Sequence, residues 1–80
     1  MPKLPRASGN KHIRTLQKAG WEINHIEGSH HILVKEGNPC HLSIPVHSGK
    51  VLGVGLLKRI MSKAALTPEE YCRLFYKKGH

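Results

Sequence analysis

This sequence predicts an α+β domain, on the order of three patterns. A short helical repeat comes first, strand-like alternation around two glycine-bearing turns follows, and two further helical stretches close the chain. The 80 residues leave room for one domain, 1–80, with 1–7 as a lead-in and 77–80 as a tail. A core of that size holds no deep internal cleft, so the working site is expected on a surface.

Met1 to Ala7 carries two prolines and is expected to be a non-helical tether or edge cover. Ser8 is an N-cap candidate, Ile13, Leu16 and Gln17 follow helical spacing, and Gly20 supplies a stop, which predicts a first helix over Gly9 to Ala19. Trp21 to Ile26 alternates as a strand, with Trp21 and Ile23 on one side and Trp21 as a core anchor. Glu27-Gly28 reads as a hairpin turn into a second strand, Ser29 to Lys35, and Glu36-Gly37-Asn38-Pro39 as the next turn. Cys40 to Ile44 is the third strand, with Leu42 and Ile44 inward and Pro45 ending it. After an irregular stretch from Val46 to Gly53, a second helix is predicted over Val54 to Ala65, with Leu57, Ile60, Met61 and Ala64 inward and Lys58, Arg59 and Lys63 outward. Thr67-Pro68-Glu69-Glu70 has the form of a capping box that opens a last helix, packed by Tyr71, Leu74 and Phe75. One helix, a three-stranded antiparallel meander and one or two C-terminal helices is the outline of a double-stranded-RNA-binding-domain-like fold.

Composition narrows the function. The formal charge is +8 with seven histidines counted neutral, which points the surface at a polyanion, nucleic acid before membrane. There is no aspartate, and the five acids, Glu22, Glu27, Glu36, Glu69 and Glu70, are scattered, so a magnesium-holding carboxylate cluster is not offered. Cys40 and Cys72 form no Cys-x-x-Cys pair and read as two reduced, half-buried thiols. The N-terminal stretch lacks the apolar region of a signal peptide, and the apolar run Val51 to Leu57 is too short to cross a bilayer, so a cytoplasmic protein without a membrane partner is expected.

The candidate chemistry lies at Gly28-Ser29-His30-His31, a glycine turn that delivers two imidazoles to the start of a strand. Histidine titrates nearest neutrality and can both take and give a proton. Alternation along this strand groups His30 with Ile32 and Val34, the more apolar set, and His31 with Leu33 and Lys35, so parity alone makes His31 the exposed one. RNA carries its own nucleophile, the 2′-hydroxyl, and its cleavage then needs a base, an acid and cations for the phosphorane charge, with no metal or other cofactor. His30 is the candidate acid or base, Ser29 an oxygen-holding donor, and Lys35, Lys50, Lys58 and Arg59 phosphate contacts. Lys11, Arg14 and Lys18 fall at i, i+3 and i+7 on the first helix with no acid beside them, and are further phosphate candidates. His31, His41 and His47 are possible second partners, though each alone reads as an ordinary surface histidine. A zinc site drawn from His25, His30, His31, His41 and His47 matches no finger or metalloprotease spacing.

Taken together, Leu4-Pro5 followed by Ser8-Gly9, Leu16-x-x-Ala19-Gly20-Trp21, Gly28-Ser29-His30, Pro45-x-His47 and Gly55-x-Leu57-Lys58-x-Ile60 resemble the HicA toxins, also called YcfA-like proteins. The resemblance implies a double-stranded-RNA-binding-like fold, metal-independent mRNA interferase activity that blocks translation, and neutralisation by a HicB-type antitoxin. It also implies that the histidine after Gly-Ser, His30, is catalytic, against the parity argument for His31. The sequence departs from the family pattern at Glu27, where glutamine, lysine or arginine is common, at Leu56 in place of a frequent threonine, and at Ala65 in place of a glycine. The alternative function is a noncatalytic RNA-binding module of the same fold, which the basic surface would serve equally.

Overall fold

The computed structural model describes residues 3–48 and 50–77, so the tail expected over Lys77 to His80 lies outside the described residues beyond Lys77. Six elements follow in order: α1 (Gly9–Lys18), β1 (Glu22–Glu27), β2 (His30–Lys35), β3 (Asn38–Pro45), α2 (Val54–Ala64) and α3 (Pro68–Tyr76). The strands form one antiparallel sheet in the order β1-β2-β3, and the α+β class read from the sequence holds.

The starts of α1 and α3 are set by side-chain caps. The Ser8 hydroxyl accepts from the Lys11 amide at 3.4 Å, and Thr67 and Glu70 close the predicted capping box, with the Thr67 amide donating to the Glu70 carboxylate at 2.9 Å. At its other end α2 stops on Ala65, which holds φ 59° and ψ 39°, the left-handed conformation. A glycine takes that conformation freely, whereas a Cβ there costs about 1 kcal/mol. The glycine common in the family at this position thus has a backbone reason.

The core gathers Ile13 and Leu16 of α1, Trp21, Leu33, Leu42 and Ile44 of the sheet region, Leu57, Ile60 and Met61 of α2, and Tyr71 of α3. The described part of the lead-in, residues 3–7, is held against the connection between β3 and α2 rather than free. Pro5 and Ala7 are buried, and the Ala7 carbonyl accepts from the Leu52 amide at 2.8 Å. Polar side chains also enter the core: His12 and Thr15 are buried, whereas Gln17, placed on the helical repeat by sequence, is exposed. The Tyr71 hydroxyl lies 2.6 Å from His12 Nδ1 and ties α3 to α1.

Two sequence expectations about the sheet are corrected. Trp21 precedes β1 and lies in the core, but Ile23 is 41% exposed, because β1 is the edge left open by the helices and a bulge separates Ile23 from His25. On β2 the inward set is His31 and Leu33, not the set of His30, Ile32 and Val34. Leu33 pairs with buried Leu42, and His31 pairs with buried Ile44, so register with β3 overrides the local count of apolar residues.

Candidate functional site

His30 opens β2 directly after a two-residue turn made by Gly28 and Ser29. Gly28 holds φ 59°, with open space around its Cα, so backbone conformation rather than crowding calls for glycine there. The antiparallel register sets His30 opposite Glu27 on one side and Pro45 on the other. Its imidazole is exposed, unlike that of His31, whose Nδ1 is buried without a hydrogen-bond partner.

Where β3 meets α2 the surface folds into an open groove of about 270 Å³. His30, Ser43 and Pro45 line it from the sheet, Leu56, Arg59, Ile60 and Lys63 line it from α2, and buried Leu42 lies among them. The α2 residues fall at i, i+3, i+4 and i+7, one stripe of the helix. The Asn38 amide donates to the Lys63 carbonyl at 3.2 Å and pins the far end of α2 to the start of β3. Arg59 and Lys63 are exposed, and among the described residues neither has a carboxylate partner. The groove therefore pairs a titratable imidazole with two fixed positive charges over an apolar base, an arrangement suited to a phosphodiester.

Several residues singled out from sequence lie elsewhere. Lys18 is committed: its Nζ donates to the Leu74 carbonyl at 3.0 Å and the Lys77 carbonyl at 2.8 Å, closing the C-terminal end of α3. It ties α1 to the end of α3 outside the groove, and Lys11 and Arg14 are exposed on α1, also outside it. Lys35 ends β2, about 16 Å along the strand from His30, with its side chain beside Gly20. Lys50 and Lys58 are exposed but do not line the groove, and Ser29 contributes its carbonyl, which accepts from the Val46 amide at 2.7 Å. His41 and His47 are exposed on β3 and the following loop, also outside the groove. Among the described residues, no three His, Cys, Asp or Glu side chains are grouped to hold a metal ion.

Lys63 is the groove residue that sequence reasoning missed. In the sequence it reads as one of the outward cations of the second helix, and the signal that finds it is the spacing of Leu56, Arg59, Ile60 and Lys63. Glu27, the acid that departs from the family pattern, lies 2.8 Å from His25 Nε2, so a neighbouring imidazole engages the carboxylate set opposite His30.

A family model described as the HicA toxin of bacterial toxin-antitoxin matches residues 9–66, which include the turn, the sheet and all of α2. The chain belongs to the HicA toxin family. No individual curated protein matches it. HicA toxins are the toxin half of a toxin-antitoxin pair, so an antitoxin partner comes with the family. Four of the motifs that carry the HicA likeness meet at the His30 end of the sheet, while Leu16-x-x-Ala19-Gly20-Trp21 lies at the Lys35 end. A Cβ on Gly9 would come 2.5 Å from the Pro45 carbonyl oxygen, so Ser8-Gly9 is pressed against Pro45, which neighbours His30 across the sheet. Gly28-Ser29-His30 is bonded to the same corner through Val46, and Leu56 and Ile60 of α2 close it from the side. Among the described residues no helix is long and apolar enough to cross a membrane.

Proposed function

We propose that this HicA-family chain is a metal-independent endoribonuclease, an mRNA interferase that works in the cytoplasm, blocks translation and is neutralised by a HicB-type antitoxin, with residues 1–80 acting as one domain. The observation that carries this reading is the exposed imidazole of His30 at the rim of a groove walled by Arg59 and Lys63. The donor set supports it as well. A chain with no aspartate and five scattered glutamates is poorly supplied for two-metal phosphodiester chemistry and well supplied for cation-assisted attack by the substrate's own hydroxyl.

The reaction balances without a co-reactant. The ribose 2′-oxygen attacks the adjacent phosphorus as its proton passes to a base. The bond from phosphorus to the 5′-oxygen breaks and that oxygen takes up a proton, leaving a 2′,3′-cyclic phosphate and a 5′-hydroxyl. His30 is the general acid or base of this step, and Arg59 with Lys63 holds the backbone of the bound strand in the groove beside it. Lys11 and Arg14, and Lys50 and Lys58, extend the positive field along which an RNA strand approaches.

The test uses one RNA sequence in two forms, all-ribose and with 2′-deoxyribose at the cut linkage. The purified chain is expected to cut the first and leave the second whole. Equal cutting of both would contradict attack by the 2′-hydroxyl.

A further inference from the structure

The groove also says what kind of RNA segment enters it, given the nuclease reading above, on which this inference rests. We propose that the space between β3 and α2 is a single-nucleotide subsite: Arg59 and Lys63 hold the phosphate adjoining the one at His30, and one unpaired base lies on Leu42, Pro45, Leu56 and Ile60.

The dimensions and chemistry carry this assignment. A volume of about 270 Å³ falls just below the range of drug-sized ligand pockets and admits one ring system with its sugar, not a stacked pair. From Leu56 the helix advances about 4.5 Å to Arg59 and about 10 Å to Lys63, so a phosphate held between the two cations stands roughly 7 Å from the His30 end, one nucleotide along the strand. The two cations lie one turn apart on the same stripe and converge on one anion. The base between them meets Leu42 and Ile60, both buried, with half-buried Pro45 and Leu56, and no aromatic ring. Such a floor excludes water from a base face without reading its hydrogen-bonding edge, so it accepts any base that can leave a stack. A base inside a duplex presents only its edge and cannot lie there. The subsite therefore selects unpaired RNA, although the sequence outline is that of a double-strand binder.

Leu56 is the position where threonine is frequent in the family, and leucine makes this floor more apolar. Affinity in the groove thus divides into a salt-sensitive part from Arg59 and Lys63 and a salt-insensitive part from Leu56.

The experiment measures binding of a short 2′-O-methyl RNA, which cannot supply the attacking hydroxyl, by fluorescence anisotropy over a range of salt. The slope of log affinity on log salt is expected to fall by about 0.7 for each of Arg59→Gln and Lys63→Gln. Leu56→Ala is expected to weaken binding by about threefold to tenfold with the slope unchanged. The same strand annealed to its complement is expected to bind about tenfold more weakly than the free strand. A native slope in the Arg59→Gln, Lys63→Gln double variant, or a duplex that binds as tightly as the single strand, overturns the subsite. Cleavage of the all-ribose strand, followed in parallel, separates the two claims. Cutting with unaltered slopes removes the subsite and leaves the nuclease, whereas altered slopes without cutting leave the subsite and remove the nuclease. Circular dichroism and thermal melting of each variant, all changed at positions that are exposed or half-buried, confirm that the fold is retained.

Discussion

Replacing His30 by alanine is expected to lower the RNA cleavage rate by about 10²–10⁴-fold, the usual contribution of a positioned general acid or base. Binding should stay within a few-fold, because the cations that hold the backbone, Arg59 and Lys63, belong to another element. His30 is exposed, at the first position of β2, and among the described residues its side chain has no hydrogen-bond partner, so its loss leaves the core intact and falls in the class of surface changes that alter stability by about 0.5 kcal/mol or less. Single-turnover cleavage and RNA binding, measured on the same preparation, separate chemistry from affinity. Cleavage persisting at the native rate in His30→Ala would assign the proton transfer to another group. The same change at His31 would disturb packing instead, since it pairs across the sheet with buried Ile44 and its own Nδ1 is buried.

The second large effect is on stability, and it comes from a histidine outside the groove. His12 is buried between α1 and α3, with the Tyr71 hydroxyl on Nδ1, the Phe75 ring 5.8 Å away and no partner on Nε2. Among the described residues no carboxylate pairs with it, and the neighbouring Thr15 hydroxyl is spent on the Lys11 carbonyl. Burial pushes the His12 imidazole down from 6.5 to about 4. The unfolded chain therefore takes up a proton at a higher pH than the folded one, and stability is lost as pH falls from 6.5 toward 4. The full loss is about 3 kcal/mol, a large share of the roughly 5–15 kcal/mol typical of a domain. Glu70, held below its ordinary carboxyl value by the Thr67 amide, adds its own loss only as pH falls below 4.5. Denaturant unfolding at pH values from about 7.5 to about 5 reads the His12 contribution apart from Glu70. A flat stability across that interval would show that His12 is accommodated in its charged form.

How far the sequence reached is seen best residue by residue. Caps and stops were legible because they are local: Ser8, Thr67 with Glu70, and Gly20 act within a turn of where they stand. The inward residues of α2 were legible too, since Leu57, Ile60, Met61 and Ala64 repeat at helical spacing and all are buried. The facing of β2 was not. Whether His30 or His31 turns inward depends on the partner strand, and Leu42 and Ile44 settle it from twelve or so residues away. His12 and Thr15 escaped for a different reason, because a polar side chain buried in a core leaves no mark in an apolar pattern.

In the candidate site, the Gly-Ser-His turn pointed to His30, and its exposure agrees with the family resemblance rather than with parity. The phosphate candidates divided according to long-range packing. Arg59 lines the groove, Lys35 ends the strand at the far side, and Lys18 is drawn to the last carbonyls of α3. None of those three outcomes follows from charge or local spacing, since each depends on which element packs beside the lysine or arginine. Lys63 would have been found by following the groove-side stripe of α2 rather than by choosing the adjacent pair Lys58 and Arg59.

Cleavage by His30 and the RNA's own 2′-hydroxyl without a metal is tested most directly by the chemistry of the new ends after incubation of a single-stranded RNA with the native chain in excess chelator. The expected fragments end in a 2′,3′-cyclic phosphate opposite a free 5′-hydroxyl, and none form with His30→Ala. Fragments carrying 5′-phosphates, or cleavage that stops when the chelator is added, would contradict that mechanism.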